Sequence, residues 1–488
     1  MMKTLKEILY KIPLTSASGD MNVPVSSIVF DSRKAVKNSA FVAVKGTQSD
    51  GHLFIDQALE GGATSIICEV FPQALVEHVS YVVVENSAEA LSIAASNFYN
   101  NPSEKLELIG VTGTNGKTTI ATLLHNLFQE LGYFPGLLST VNNKIGDDVM
   151  ESTHTTPDAV QINELLALML KKGCTHCFME VSSHALVQSR VSGLKYAGAV
   201  FTNMSHDHLD YHGTFESYIN AKKLLFDSLP SSAFALVNID DKRGRIMLQN
   251  SKAVKSTYSL KSSSDFKAKI ISNQLEGLEM RIDNLDAWFK LVGTFNAYNL
   301  LAVFSTAVLA GEERETVLAA LSNLGAAPGR FEIVSSGGGI TAIVDYAHTP
   351  DALENVLKTI NHVRSRNEQL ITVIGCGGNR DTEKRPLMAS IACEQSDKVI
   401  LTSDNPRDED AAAIIKDMQG GVSPSNYKKT LTQPDREEAI KLACVMAKEK
   451  DIILVAGKGH EDYQEIKGVK HPFDDKEVLN RMFKSLSN

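Results

Sequence analysis

Short runs of β-branched and apolar residues alternate with helical patterns along most of this chain, and no other feature of the sequence restricts the fold as strongly. Such alternation is typical of parallel α/β architecture, in which each helix crosses back over the sheet to the next strand. At 488 residues the chain is too long for one ordinary core, because domains usually hold about 100–200 residues. The sequence therefore predicts an α/β protein of several domains.

The charge balance argues against a partner bound through bulk electrostatics. The chain carries 49 Lys and Arg against 58 Asp and Glu, a net charge of −9, and it has no long basic run. A mildly acidic protein of this kind is a poor candidate for gripping nucleic acid or an anionic membrane. Any anion that it binds must be held by a local site.

Cysteines and the N-terminus indicate a cytoplasmic protein. The six cysteines are too scattered for a disulfide scaffold, and Cys177 of the one CxxC pair, Cys174-Thr-His-Cys177, reads as part of a core strand. The first ten residues resemble a short amphipathic helix and lack the apolar core of a signal peptide. No apolar stretch is long enough to predict a membrane span. We also expect the protein to be a monomer.

Two joints divide the pattern into three blocks. A polar, Pro-containing segment at residues 100–104 and a Gly/Ala/Pro hinge at 325–329 predict domains 1–103, 104–328 and 329–488. Residues 251–290 are irregular and predict an antiparallel excursion. The strands predicted in the three blocks are 27–30, 40–44, 64–68 and 81–84; then 106–111, 175–181, 198–202 and 235–238; and finally 340–345, 370–374, 398–402 and 451–455.

A Gly-rich turn stands between the first strand of the middle block and an amphipathic helix. It reads Gly113-Thr114-Asn115-Gly116-Lys117-Thr118-Thr119, a shorter spacing than the GxxxxGK[ST] consensus. Backbone N–H groups in such a turn, together with the helix N-terminus, form an anion cradle. We expect Lys117 to reach the terminal phosphates of a nucleotide and Thr118 to bind Mg²⁺.

Further candidate ligands follow other predicted strands of the same block. Glu180 ends an apolar strand, and the run from His206 to His212 holds three His and two Asp. Mg²⁺ prefers a few carboxylates together with phosphate oxygens and water, so Glu180 and a nearby His are plausible ligands. Lys222 taken by itself reads as a lysine on a helix surface.

With these segments assembled, the chain resembles the Mur ligases, ATP-dependent enzymes that add amino acids to the UDP-muramoyl peptide precursor of bacterial peptidoglycan. The resemblance covers the full length and rests on motifs in this order: Asp31-Ser-Arg33, Gly113 to Thr119, Glu180 to His184, Asn203 to Gly213, Gly293 to Asn299, Pro328-Gly-Arg330, Asp345 to Asp351, Gly375 to Arg380, Asp404 to Arg407, and Gly457 to Glu461. It implies an N-terminal UDP-sugar domain, a central P-loop-type parallel-sheet ATPase domain and a C-terminal Rossmann-like domain for the amino acid.

The resemblance also implies roles for individual residues around ATP and Mg²⁺. It changes the reading of Lys222, because the family's lysine at this place is carbamylated and helps to hold a second Mg²⁺; Lys223 is the alternative position. The implied metal ligands are Thr118, Glu180, His208 (chosen over His206) and carbamylated Lys222. Asn296, Arg330 and Asp345 look like the family's contacts to adenine, ribose and phosphate.

The substrates implied are a UDP-muramoyl dipeptide and a diamino acid. Ser32, Thr47, Gln48 and Ser49 would hold the nucleotide end of the first substrate; its sugar–peptide part would be held by His154, where the family has Asn, and by Thr155, Thr156, Ser182, Gln188 and Arg190. The implied amino-acid site contains Arg380, Asp404, Asn405, Pro406, Arg407, Gly457 and Glu461. Its departures from the family pattern are Asn379, where Asp is expected, and Ala411, where Pro is common.

Arg407 narrows the choice of amino acid. Asp404-Asn-Pro-Arg407 resembles the motif of enzymes that select meso-diaminopimelate, which is lysine with an extra carboxylate that a guanidinium can bind bidentately. The expected reaction is therefore the ATP-dependent addition of meso-2,6-diaminopimelate to UDP-N-acetylmuramoyl-L-alanyl-D-glutamate through an acyl phosphate. Lysine or lanthionine as the added amino acid, and a regulatory protein that binds nucleotide without catalysis, are the alternatives.

Overall fold

A computed structural model describes residues 2–46, 49–152, 154–205, 209–336, 338–364 and 367–486, and the side chains at 209 and 210 are not described. Within these residues the chain forms three α/β units, each built on its own sheet. The mixed α/β class with three domains is confirmed, whereas the exact boundaries at 103 and 328 stay a prediction.

The first unit contains a sheet in the order β2-β7-β6-β5-β4, parallel except for β2. Its strands are β1 Lys3–Thr4, β2 Ser16–Ser18, β3 Pro24–Val25, β4 Ser27–Val29, β5 Ser39–Val42, β6 Ala63–Cys68 and β7 Ser80–Val83, and its helices are α1 Leu5–Ile8, α2 Ile55–Glu60 and α3 Ser87–Phe98. The predicted N-terminal helix is shorter than expected, because the backbone of Lys3 and Thr4 pairs with β3 and Thr4 then caps α1 in a capping box with Glu7.

The central unit is built on the long sheet β11-β10-β9-β12-β8-β13-β14-β15-β16-β17-β18. Its strands are β8 Glu107–Thr112, β9 Gly136–Leu138, β10 Asn142–Ile145, β11 Asp148–Glu151, β12 His176–Glu180, β13 Gly198–Phe201, β14 Phe234–Asn238, β15 Val254–Ser259, β16 Phe266–Gln274, β17 Gly277–Ile282 and β18 Leu285–Phe289. The helices are α4 Lys117–Glu130, α5 Ala159–Lys171, α6 Ser183–Val187, α7 Leu209–His212, α8 Phe215–Asp227, α9 Gly244–Met247, α10 Thr294–Leu309 and α11 Arg314–Asn323.

Strands β9, β12, β8 and β13 to β16 run parallel, and antiparallel strands extend the sheet at both edges. The predicted excursion is therefore present as β16 to β18, which follow the parallel strand β15. Cys177 lies in β12 and is fully buried, as the reading of a core strand predicted. The core on one face joins α4 and α10 to these strands.

The third unit has the sheet order β19-β20-β24-β21-β22-β23, parallel except for β19. Its strands are β19 Glu332–Ser335, β20 Thr341–Asp345, β21 Leu370–Cys376, β22 Lys398–Ser403, β23 Thr430–Thr432, β24 Ile452–Ala456, β25 Tyr463–Ile466 and β26 Val469–Pro472. Its helices are α12 Pro350–Val363, α13 Lys384–Gln395, α14 Ala411–Gln419, α15 Arg436–Met446 and α16 Asp475–Leu486.

The carboxyl ends of β20, β24, β21 and β22 meet at one edge of this sheet, where an open parallel sheet binds ligands. The motifs that begin at Asp345, Gly375, Asp404 and Gly457 follow these strands, so the structure brings all four to that edge, as predicted. Over the described part of the chain, no helix is long and apolar enough to span a bilayer.

Candidate active site

The Gly-rich turn joins β8 to α4 and requires glycine for steric reasons. A Cβ atom on Gly113 would lie 1.9 Å from Oγ1 of Thr202, and one on Gly116 would lie 2.6 Å from Oδ1 of Asn299. Gly116 also has a φ of +90°, in the left-handed region that glycine adopts at little cost. Thr202, which follows β13, and Asn299 of α10 thus lie so close to the turn that only glycine fits at these two positions. The turn can then form the anion cradle expected at the start of α4.

Two lysine side chains converge on this turn. Nζ of Lys117 donates to the carbonyl oxygens of Gly113 at 2.9 Å and Thr114 at 2.8 Å. Nζ of Lys222, on α8, donates to the same Gly113 oxygen at 2.9 Å and lies 4.7 Å from the ring centroid of Tyr218. Lys222 is almost fully buried. Both lysine side chains are thus held against the backbone of the turn.

The next residue, Lys223, takes another direction. Its Nζ donates to both carboxylate oxygens of Asp227 at 2.6 Å, one turn further along α8. Of these two adjacent lysines, Lys222 is therefore the one that contacts the Gly-rich turn at residues 113–119, the phosphate turn. Carbamylation of Lys222 stays a prediction.

Glu180 supplies buried hard oxygen ligands next to the turn. Its side chain is fully buried, accepts a bond from Oγ1 of Thr118 at 3.0 Å and accepts one from the backbone N of Thr140 at 2.7 Å. A hydroxyl and a carboxylate so close to a phosphate cradle fit Mg²⁺. The third predicted ligand, His208, lies outside the described residues. Among the described residues, no group of three or more His, Cys, Asp or Glu side chains is placed so that it could hold a metal ion.

Arg330 reaches the turn from the third unit. Its Nη2 donates to Oγ1 of Thr118 at 3.1 Å, and its guanidinium carbon lies 4.6 Å from the ring centroid of Tyr346. The buried carboxyl of Asp345 accepts a bond from the backbone N of Phe331 at 2.7 Å. Burial raises the pKa of Asp345 to about 6, although Arg330 and backbone donors oppose the shift.

Asp351 connects the third unit to the turn a second time. Its Oδ2 accepts bonds from Nδ2 of Asn115 at 2.8 Å and from Oγ of Ser205 at 2.9 Å. Asn115 was predicted from the sequence as a phosphate-loop residue, whereas its partner on α12 was given no role there. A single carboxylate thus bridges two loops of the central unit.

A cavity of about 620 Å³ opens between the central and third units on this side of the turn. The predicted ATP contacts that line it are Asn115, Gly116, Thr119, Arg330 and Asp345. Asn296 is not among the described lining residues; its amide donates to the Val292 oxygen at 2.8 Å and accepts from Asn299, which does line the cavity. Asn296 therefore lies one layer behind the position predicted for adenine.

A larger cleft of about 1360 Å³ lies on the other side of the turn and brings together residues from all three predicted groups. Lys117 and Lys222 stand at one end. Of the residues predicted to bind the substrates, those that also line the cleft are His154, Thr155, Thr156, Ser182 and Arg190 for the precursor, and Arg380, Arg407 and Glu461 for the amino acid.

The remaining precursor residues occupy two places. Oε1 of Gln188 accepts from Nε and Nη2 of Arg190 at 3.0 and 2.7 Å, so Gln188 supports a residue that lines the cleft. Ser32 lies in the first unit, where its hydroxyl donates to Oε1 of Gln57 at 2.7 Å, and Ser49 is exposed in the same unit. Thr47 and Gln48 lie outside the described residues.

Arg407 is held at the amino-acid end by a neighbouring hairpin and a loop. The backbone N of Arg407 donates to the Glu465 oxygen at 3.0 Å, and Nη1 donates to the Gly378 oxygen at 2.8 Å. The Glu465 carboxylate lies 3.4 Å from Nε. Strand β25 therefore holds this guanidinium on one side, a contact that no local pattern in the sequence predicts.

A buried network surrounds Glu461. Oε2 of Glu461 accepts from Nδ2 of Asn405 at 2.7 Å and from Nζ of Lys458 at 3.1 Å, and the same Nζ donates to Oδ1 of Asn405 at 3.0 Å. Lys458 is fully buried. Burial and the neighbouring Asp404 raise the pKa of Glu461, whereas Lys458 lowers it. Glu461 also lines the larger cleft, so its carboxylate is within reach of a donor on a bound substrate.

The other predicted amino-acid residues shape the pocket from behind. Oδ1 of Asp404 accepts the backbone N of Asn405 at 2.6 Å, and a Cβ on Gly457 would lie 2.5 Å from Oδ2 of Asp404. The backbone oxygen of Pro406 accepts the N of Glu409 at 3.0 Å. None of these three is among the described residues that line the cleft.

Sequence reasoning missed Lys458, Asp351 and Glu465. The first two stand inside motifs that were quoted, at Gly457 to Glu461 and Asp345 to Asp351, and a lysine or aspartate within such a motif is a signal that could have singled them out. Glu465 carries no comparable signal, because only the folded hairpin brings it to Arg407.

Family descriptions match each of the three units. The "Mur ligase family, catalytic domain" matches residues 24–99, the "Mur ligase middle domain" matches 111–307, and the "Mur ligase, glutamate ligase domain" matches 329–459. Together they cover most of the chain.

Two curated relatives match over nearly the whole length. The UDP-N-acetylmuramoyl-L-alanyl-D-glutamate–2,6-diaminopimelate ligase of Cytophaga hutchinsonii is 58% identical over 483 residues, covering 99% of each chain. The ligase of the same name from Clostridium tetani is 41% identical over 490 residues, again covering 99% of each chain.

Solved structures agree with this assignment. A structure of a UDP-N-acetylmuramoyl-L-alanyl-D-glutamate–2,6-diaminopimelate ligase superposes with a TM-score of 0.72 at 34% identity and covers 100% of both chains. The MurF ligase of Thermotoga maritima in complex with ADP shares the fold, with a TM-score of 0.62 at 19% identity over 94% of this chain and 97% of that one. The chain belongs to the Mur ligase family, whose members are ATP-dependent acid–amino-acid ligases.

Proposed function

We propose that this chain adds meso-2,6-diaminopimelate to UDP-N-acetylmuramoyl-L-alanyl-D-glutamate, with hydrolysis of ATP to ADP, in peptidoglycan synthesis. The observation that carries the proposal is the larger cleft, which has Lys117 and Lys222 at one end and Arg407 and Glu461 at the other. A site for an energised acid and a site for an amine thus open into one space. The high identity to the named ligases supports the same reaction.

The first step joins two anions. The substrate carboxylate attacks the γ-phosphorus of ATP, an acyl phosphate forms, and ADP leaves. Because charge repulsion opposes this attack, positive groups that are already in place should dominate catalysis. Lys117 is the residue that would neutralise the phosphates, and Arg330 of the third unit would add a second cation beside Thr118.

Thr118, Glu180 and Lys222 would hold Mg²⁺, together with His208. A bound Mg²⁺ supplies neutralisation of charge on the phosphate oxygens. An uncharged or anionic form of Lys222 suits that role better than an ammonium.

The second step needs an amine that is positioned and a cleft that excludes water. The amine attacks the acyl carbon, and phosphate leaves from the tetrahedral intermediate. Contacts of Arg330 with Thr118 and of Asp351 with Asn115 bring the third unit against the phosphate turn. This closed arrangement would protect the acyl phosphate from hydrolysis.

The choice of diaminopimelate rests on charge. Arg407 offers a guanidinium to the far carboxylate, and Glu461 offers a carboxylate to an ammonium. Lysine has no far carboxylate, so it would leave Arg407 without its partner and place an ammonium near it. The buried Lys458 keeps Glu461 and Asn405 in one arrangement.

Phosphate release by the purified protein tests the proposal. ATP, Mg²⁺ and UDP-N-acetylmuramoyl-L-alanyl-D-glutamate are supplied with diaminopimelate, lysine or lanthionine in separate reactions. We expect the highest kcat/KM with diaminopimelate. A higher kcat/KM with lysine contradicts the assignment of Arg407, and ATP binding with no turnover for any amino acid contradicts the ligase itself.

A further inference from the structure

Two loops at the amino-acid end of the cleft are cross-linked to each other. The loop after β21 carries Asn379 and Arg380, and the loop after β22 carries Arg407 and Asp408. Nδ2 of Asn379 donates to Oδ2 of Asp408 at 3.0 Å, and the backbone N of Asp408 donates to Oδ1 of Asn379 at 3.3 Å. The amide of Asn379 thus serves as donor and acceptor to the same residue, which a carboxylate at that position could not do.

Both loops contain a residue in the left-handed backbone region. The φ angle is +54° at Asn379 and +51° at Arg407. Non-glycine residues are uncommon in this region, although Asn adopts it more often than most. The surrounding contacts must therefore hold these residues in place. The position of the Arg407 guanidinium therefore depends on what fixes the backbone of these two loops.

Glu409 stands where the two loops meet. Its Oε1 accepts the backbone N of Asn379 in a short hydrogen bond. Both of its oxygens accept from Nη2 of Arg385, at 2.9 and 2.8 Å. The backbone donor first and Arg385 second hold the pKa of Glu409 below its usual range, so the carboxylate is ionised.

Arg385 is a buried anchor behind the loops rather than a wall of the cleft. It is 1% exposed, lies on α13, and also donates from Nη1 to Oδ2 of Asp417 on α14 at 2.8 Å. Arg385 is not among the described residues that line the cleft, whereas Arg380 and Arg407 are. Contacts therefore run from the helix layer to the loops mainly through the Glu409 carboxylate, with a longer bond of 3.4 Å from Nη2 of Arg385 to the Gly377 oxygen beside it.

We propose that Glu409, anchored by Arg385, is a positioning residue for amino-acid selection. It fixes the Asn379 loop against the Arg407 loop, so that the guanidinium groups of Arg380 and Arg407, which both line the cleft, keep the separation that one substrate carboxylate requires. This inference rests on the proposed function for the identity of the amino acid. Glu409 itself touches no substrate in this account.

Steady-state kinetics of Glu409→Gln test the proposal. The amide keeps the size of the side chain but removes the charge from the bonds to Arg385 and Asn379. We expect KM for diaminopimelate to rise about tenfold, with kcat and KM for ATP changed less than about twofold. Asp417→Asn is the matched control, since Asp417 binds the same guanidinium but neither loop, and its KM should stay within about twofold of wild type.

A double variant separates positioning from direct binding. Because Glu409 acts through Arg407, adding Glu409→Gln to Arg407→Lys should raise KM little beyond the single Arg407→Lys value. Asn379→Gly, which accepts the positive φ and lacks the amide bonds, should raise KM in the same direction as Glu409→Gln and by less.

Several outcomes overturn the inference. An unchanged KM in Glu409→Gln does so, as does full additivity with Arg407→Lys. An equal loss of kcat and kcat/KM together with a lower melting temperature would mean that Glu409 only supports the fold. Failure of the proposed function looks different, because the wild-type enzyme would then show no diaminopimelate-dependent phosphate release.

Discussion

The two ends of the larger cleft are built from different parts of the chain. At the phosphate end, Lys117 and Lys222 both donate to one backbone carbonyl, that of Gly113. At the amino-acid end, Lys458 donates to two side chains, Asn405 and Glu461. One end is organised by a turn of the main chain, and the other by a network of side chains.

This difference separates catalysis from selectivity. A cradle made of backbone groups and lysines recognises any polyphosphate, because it offers charge and N–H donors without a specific outline. A side-chain network sets where each charge stands, so it distinguishes one amino acid from another. Changes at the phosphate end should therefore lower kcat for every amino acid, whereas changes at the other end should alter the choice among them.

Lys117→Met should produce the largest loss. Removing the cation that faces the phosphates is expected to lower kcat about 10³-fold for all amino acids alike, since it stabilises the charge of the transition state. Phosphate release with saturating substrates measures this. Lys223→Met is the control, because Lys223 pairs with Asp227. A loss of less than about tenfold in Lys117→Met would contradict the assignment of catalysis to the phosphate end of the cleft.

Lys222→Ala tests whether the second lysine acts as an anion. We expect kcat to fall about 10²-fold and to recover in part when short carboxylates such as formate or acetate are added. Lys223→Ala on the same helix should retain activity and show no such recovery. An intact ammonium at Lys222 in a high-resolution map, with activity undiminished by removing CO₂, would end the carbamate hypothesis.

Arg407→Lys should change selectivity more than rate. The ratio of kcat/KM for diaminopimelate to that for lysine is expected to fall about 30-fold, because a lysine cannot replace the bidentate bonds to a carboxylate. Competition between the two amino acids for product measures the ratio. Arg364→Lys is a control elsewhere in the third unit, where Arg364 pairs with Asp397. Equal losses with both amino acids would place Arg407 outside the selective end.

Asp345→Asn should show the smallest effect, on stability against pH. The pKa of Asp345 is about 6 in the folded protein and 3.8 as the reference value, so the folded state holds its proton more tightly. Its contribution to the free energy of unfolding is then complete below pH about 4 and lost as the pH rises through about 6, a change of about 2–3 kcal/mol.

Urea unfolding of wild type and Asp345→Asn across that pH interval measures this contribution as a difference. The wild-type protein should lose stability relative to the variant as the pH rises. A constant difference would show that folding does not raise the pKa of this carboxyl.

The elements that the sequence predicts well are those with a local pattern. The β-branched runs at 64–68 and 398–402 correspond to β6 and β22 within one residue at each end. The apolar spacing of Leu353, Val356, Leu357, Ile360 and Val363 predicts the buried face of α12; the first four are buried, and Val363 is partly buried. The phosphate turn was also readable, because glycine and lysine between a strand and a helix serve few other purposes.

The elements that were not predicted have weak patterns of their own. Strand β9 pairs with the distant strand β12, whereas β10 with β11 and β25 with β26 form short local hairpins. The contact of Glu465 with Arg407, and the burial of Lys458, arise from long-range packing. Asn296 shows another limit of sequence-based prediction. The resemblance assigned it a contact with the nucleotide, but its side chain lies one layer behind the cavity.

Asp351 has a consequence for the order of events during turnover. Its carboxylate holds Asn115 of the phosphate turn and Ser205 of the following loop, 236 and 146 residues away along the chain. Any swing of the third unit away from the turn breaks both bonds together and uncovers the mouth of the nucleotide cavity. Exchange of a nucleotide at this cavity is therefore expected to require a movement of the third unit, because the carboxylate that bridges the two loops belongs to that unit.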